Sequence, residues 1–117
     1  MIDINHATIS GTITAAPELT ILPSSTPLCT FRVALRGRAR GRSFRQREIY
    51  DLVDVSALRD LAERCARTLT EGSRVVVDGH LRWGHDLNQG HVGVVAHTVE
   101  IIETTHHVDA EPISAVE

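Results

Sequence analysis

The chain has 117 residues, 42% of them apolar and 23% charged, which is the length and composition of one ordinary globular domain. No apolar run approaches the ~20 residues of a membrane-spanning helix, and Met1-Ile2-Asp3-Ile4 opens without the basic segment and apolar block of a secretory leader. All 12 basic residues are arginine, and the formal net charge of −3 divides unevenly: +1 over residues 1–102, −4 over residues 103–117. The four acids of that last segment, Glu103, Asp109, Glu111 and Glu117, set an acidic tail apart from a nearly neutral body. Cys29 and Cys65 have no Cys-x-x-Cys spacing and are too few for a disulfide framework. The expectation is a reduced cytoplasmic protein with both thiols packed as small apolar groups.

Residues 2–14 are rich in Ile and Thr and alternate at Ile9, Gly11 and Ile13. They read as a long strand, with Gly11 permitting a bend or bulge. Ala15-Ala16-Pro17-Glu18 breaks it, Leu19 to Leu22 is a short extended piece, and Pro23 to Pro27 is a turn. From Leu28 to Leu35 the alternation returns: Cys29, Phe31, Val33 and Leu35 share one face, which assigns Phe31 to the core. Residues 36–47 contain six arginines and no acid, namely Arg36, Arg38, Arg40, Arg42, Arg45 and Arg47. With Gly37 and Gly41 this segment predicts a mobile loop. Ile49 to Val55 is the next strand.

Ser56 is the expected N-cap of a helix. Leu58, Leu61, Ala62, Cys65 and Leu69 form its apolar stripe, and Asp60–Arg64 and Glu63–Arg67 are i,i+4 pairs. Gly72 is the expected stop. Ser73 to Trp83 is the clearest strand, Gly84 to Gly90 a hairpin loop, and His91 to Ile102 the last strand. Five strands with a helix between the third and fourth are the plan of an all-β, five-stranded Greek-key oligonucleotide/oligosaccharide-binding (OB) barrel, a strand count shared with other small mixed β folds.

Several chemistries lack support. There is no Gly-x-x-x-x-Gly-Lys phosphate loop and no serine elbow, so no enzyme and no cofactor are expected. The seven histidines include no His-x-x-x-His on a helix and no Cys/His cluster. Half-buried or surface strand histidines are the expected reading, with no metal. The arginine-rich segment has two readings. One is a solvated loop partnered by Glu48 and Asp51. The other, favoured here, is contact with nucleic acid, since guanidinium groups reach phosphates and stack on bases. Tyr50 and Trp83 are each able to stack on a base. Trp83 shares its strand face with Val75, Val77 and Leu81, which puts core or interface packing ahead of stacking. Phe44, set among arginines, is the better stacking candidate.

Five segments resemble the bacterial single-stranded DNA-binding protein family: Ile4-Asn5-His6-Ala7-Thr8-Ile9-Ser10-Gly11, Pro17-Glu18-Leu19, Thr26 to Ala34, Leu61-Ala62-Glu63 and Leu69 to Arg82. Together they cover roughly residues 2–102 in the family's order and spacing. The resemblance implies an OB-fold domain, here over residues 1–103, and the acidic tail read from composition follows over 104–117. It implies non-specific binding of single-stranded DNA in replication, recombination or repair, by a cytoplasmic, nucleoid-associated homo-oligomer (a tetramer, or a dimer). The contacts would come from the barrel face and from the loops at 36–47 and 84–91. The expected DNA-binding set is Arg36, Arg38, Arg40, Arg42, Phe44, Arg45, Arg47, Tyr50, Arg74, Arg82 and Trp83.

The sequence departs from the family at its stacking positions, which fall near Ala39, Leu52, Leu58 and Asp86. The family's acidic tip closing on an aromatic residue is replaced by Ile113-Ser114-Ala115-Val116-Glu117, so recruitment of repair enzymes through such a tip is not expected. These departures favour a rival reading, an OB-fold protein-interaction adaptor that has lost most DNA binding. The arginine-rich segment argues against that rival.

Overall fold

The computed structural model describes residues 3–37, 50–83 and 92–103. In chain order its elements are β1 (Ala7–Ile13), β2 (Glu18–Ile21), β3 (Pro27–Arg36), β4 (Tyr50–Leu58), α1 (Arg59–Thr68), β5 (Arg74–Trp83) and β6 (Val92–Glu103). Sheet neighbours run β1-β5-β6-β4-β3, and β1 also pairs with β3, so five strands close on themselves. Only β4 and β6 are parallel, at Val55↔Val94 and Ser56↔Val95. This is the expected barrel, with the helix ahead of its last two strands; closure removes the exposed edges that an open sheet would present. The extended piece at Leu19 is a short strand, β2, appended to the first half of β3 outside the ring.

Strand alternation builds the core. Cys29, Phe31 and Val33 point inward from β3, Val55 and Ala57 from β4, Val75 and Val77 from β5, and Val94 and Ala96 from β6. The helix stripe, Ala62 and Cys65 with Leu69 just beyond, seals one end. Both thiols are buried and free. Burial pushes the Cys65 thiol up to about 11, with the neighbouring Cys29 adding to the effect and Arg64 opposing it. Closing so small a barrel brings backbones together. A Cβ on Gly11 would lie 2.3 Å from the Ala34 carbonyl oxygen, where β1 crosses to β3. Glycine is required there by contact, not by a bend.

Some expectations are corrected. β1 begins at Ala7; ahead of it the Asn5 side chain continues the pairing, donating to the Leu81 carbonyl at 2.9 Å and accepting from the Leu81 N–H at 2.8 Å. Ser56 does not cap the helix. β4 runs on through Ala57 and Leu58, whose partners Cys29 and Leu28 extend the β3 ladder, and the N-cap is Leu58 without a side-chain cap. The chain then turns sharply, from extended Leu58 to Arg59 at φ 59°. Gly72 is not the helix stop. The helix ends at Thr68, and Gly72, at φ 94°, sits inside a later turn closed by Ser73 N–H to Thr70 carbonyl at 3.0 Å. No ion pair joins Asp60 to Arg64 or Glu63 to Arg67. Exposed pairs of this kind gain only a few tenths of a kcal/mol, roughly what ordering two long side chains costs. No described helix is long and apolar enough to cross a membrane.

Candidate nucleic-acid interface

The end of the barrel opposite α1 is built by two antiparallel pairs of strand ends. On one, Arg36 of β3 stands directly across from Tyr50 of β4, and Ala34 across from Leu52. On the other, Trp83 of β5 faces Val92 of β6, and Arg82 faces Gly93. Both pairs reach past the parallel β4–β6 contact at Val55 and Val94.

Alternation decides which way each side chain points. Tyr50 and Leu52 occupy the outward row of β4, and the exposures are 48% and 56%. Arg36 and Ala34 lie beside them on β3. Trp83 belongs to the inward row of β5, after Val75, Val77, Gly79 and Leu81. Of the core or interface packing expected for Trp83, packing in the core does not hold, because the inward row runs off the barrel rim beyond Gly79 and Trp83 is 55% exposed. Arg82 lies on the outward side of the same strand and is exposed. The rim therefore offers an aromatic ring and a guanidinium on each of its two projecting pairs. Phe31, by contrast, is buried as expected.

Charge separates the strand arginines. Arg32 Nε donates to Asp54 Oδ1 at 2.8 Å across the β3–β4 pair, and that bond holds the guanidinium more firmly charged. Arg32 lines a groove of about 390 Å³ together with Thr14, Glu18, Thr30, Asp54 and Ser56, so the groove's guanidinium is already neutralised. Arg36 and Arg82 have no carboxylate within ion-pair distance among the described residues. Arg74 stands at the other end of the barrel, opposite Thr12 and Glu103. Nine residues of strand separate it from Trp83, about 30 Å.

The structure thus brings together Arg36, Tyr50, Arg82 and Trp83, and leaves Arg74 apart. Arg38, Arg40, Arg42, Phe44, Arg45 and Arg47 lie outside the described residues. So does the expected hairpin loop at 84–90. Leu52 is the residue that aromatic-based reasoning passes over. Its place in the outward row, beside the small Ala34, follows from the β3 alternation once the β3–β4 register is known. Leu58, at the other end of β4, is only partly exposed. Among the described residues no group of three or more His, Cys, Asp or Glu side chains is placed to hold a metal ion.

A closed five-stranded barrel with a sealing helix is the architecture of an OB domain. The chain belongs to the single-strand binding protein family, whose model matches residues 4–109. It is 38% identical over 77 residues to the single-stranded DNA-binding protein of Bifidobacterium longum, covering 64% of this chain and 35% of that protein. Against the protein of the same name from Corynebacterium glutamicum it is 36% identical over 79 residues, covering 66% and 35%. Against that of Aquifex aeolicus it is 30% identical over 103 residues, covering 85% and 70%. The chain therefore spans about a third of the length of the first two relatives.

Proposed function

We propose that this protein binds single-stranded DNA without sequence preference at the barrel end opposite α1, in a binding role and not a catalytic one. The observation that supports this most is a guanidinium and an aromatic ring at each projecting strand pair, directly opposed at Arg36 and Tyr50 and on successive, opposite-facing positions at Arg82 and Trp83. Arg36 and Tyr50 stand on one, Arg82 and Trp83 on the other, with no carboxylate partner for either arginine among the described residues. The ends of β3 and β4 lead directly into the segment that contains Arg38, Arg40, Arg42, Arg45 and Arg47, with Phe44 among them. The phosphodiester backbone is the natural partner for such a set, and bases stack on the few rings present. Arg74 contributes least, from its place at the far end. Association of several copies on one strand, as a dimer or tetramer, raises avidity without new contacts per domain. A role in replication, recombination or repair, at the nucleoid, follows from that reading.

Trp83 is the only tryptophan in the chain, so its fluorescence reports one place at the rim. Titration with oligo-dT at low salt is expected to change that emission saturably, and raising the salt to reverse it. Emission and anisotropy unmoved by oligo-dT at the lowest salt would leave the adaptor reading in its place.

A further inference from the structure

We propose that His80 and His97 form an open two-histidine chelate for a divalent transition ion of the imidazole-binding kind. The site rests on the outer face of β5 and β6 and on residues that the DNA reading does not use.

The pair is made by an irregularity in the sheet. Along β5–β6 the register is Asp78↔Thr98 and then Gly79↔Ala96, so His97 is an extra residue with no partner across the ladder. A bulge of this kind breaks the alternation and re-aims a side chain. Ala96 points into the core, while His97 and Thr98 are both exposed. The bulge needs close backbone approach: a Cβ on Gly79 would lie 2.0 Å from the Val95 carbonyl oxygen. Gly79 and the bulge together swing His97 over His80, which projects from the same outer face.

The ring nitrogens, His80 Nδ1 and His97 Nε2, are 2.9 Å apart, with ring centroids separated by 5.0 Å and planes tilted by 44°. Without metal this is a hydrogen bond, one imidazole donating to the other. The distance also suits two ligands on one ion. Metal–imidazole bonds of about 2.0–2.1 Å at a right angle place the two nitrogens about 2.9 Å apart, and a tetrahedral angle asks for only a few tenths of an ångström more. The donor ring's proton would move to its other nitrogen or to water, and each ring would turn by about 35–45° from the present head-on arrangement to aim its lone pair at the ion. Because no third side chain joins the pair among the described residues, water fills the remaining positions. Nearby, His6 Nε2 lies 3.0 Å from Asp78 Oδ1, and the Thr8 hydroxyl donates to the same oxygen at 2.7 Å, so that carboxylate is already engaged. Imidazole ligands and open positions suit Cu²⁺, Ni²⁺ and Zn²⁺.

The test is a titration of the full chain with Cu²⁺, read by calorimetry and by electron paramagnetic resonance, in parallel with His80→Ala and His97→Ala. Both substitutions are at the outer face, and circular dichroism checks that each variant is folded. The expected result is one tightest copper equivalent with two coordinated nitrogens, weakened about tenfold or more in each variant as the second ligand's effective concentration is lost. An affinity and a nitrogen signature unchanged in either variant would place copper on other histidines and overturn the proposal.

Discussion

Arg32 and Asp54 face each other across β3 and β4, joined at 2.8 Å, while four residues further along the same outward row Arg36 faces Tyr50 and has no carboxylate within ion-pair distance among the described residues. Two arginines on one strand face thus differ in what remains for a phosphate to bind. Arg36→Ala is expected to weaken oligo-dT binding and to reduce the salt slope by about 0.7, the value for one phosphate contact on a single strand. Arg32→Ala should leave that slope unchanged. Fluorescence or anisotropy titrations at several salt concentrations check both, and equal effects of the two substitutions would remove the distinction.

Leu52 supplies a gain-of-binding test. It is 56% exposed in the outward row, next to Ala34, at the place where the family's pattern puts a stacking ring. Leu52→Trp is expected to tighten oligo-dT binding by about 1–3 kcal/mol, the usual worth of one base–aromatic stack, with little change in thermal stability. An unchanged affinity in a folded variant would mean that the strand does not pass this face.

Gly11→Ala tests how the barrel closes. The added methyl would meet the Ala34 carbonyl oxygen at 2.3 Å and the Val33 side chain at 2.8 Å. Backbone on the other side cannot yield as a flexible side chain would, so destabilisation by about 2–4 kcal/mol is expected in urea denaturation. A loss below half a kcal/mol would contradict the close β1–β3 approach.

The Cys65 thiol sets a pH dependence at the alkaline end. Burial raises its pKa to about 11 in the folded protein, above the ordinary thiol value near 8.5–9 in the unfolded chain. Between those values the native state holds a proton that the unfolded state has released. Stability therefore falls as pH rises from about 9 to about 11. Cys65→Ser or Cys65→Ala should flatten that stretch of the denaturation profile. An identical decline in the variants would assign it to other groups.

Much of the fold is legible from periodicity. The β3 face of Cys29, Phe31 and Val33 and the helix stripe of Ala62, Cys65 and Leu69 are buried where alternation and helical spacing put them, because each is a local pattern set against one core. The helix start was not legible, since the pull of the β3 ladder on Ala57 and Leu58 is tertiary and outweighs a serine suited to capping. Trp83 continues the alternation of Val75, Val77, Gly79 and Leu81, and nothing local says that the barrel rim falls after Gly79. The rim is set by where β6 meets β4. The His80–His97 pair was hidden for a similar reason. Apolar residues fall on both faces of Val92 to Ala96, so the sequence does not show where the alternation slips, and the slip is what brings the two rings together.

The central claim, that arginines at the rim and in the adjoining segment bind the phosphate backbone, is tested most directly by the salt dependence of oligo-dT affinity. The comparison is between the parent chain and the combined Arg38→Ala, Arg40→Ala and Arg42→Ala variant. The account predicts a steep linear fall of log affinity with log salt in the parent, and a slope flatter by about 2 in the triple variant, near 0.7 per lost phosphate contact. Undetectable binding at low salt, or equal slopes for the two proteins, would contradict it.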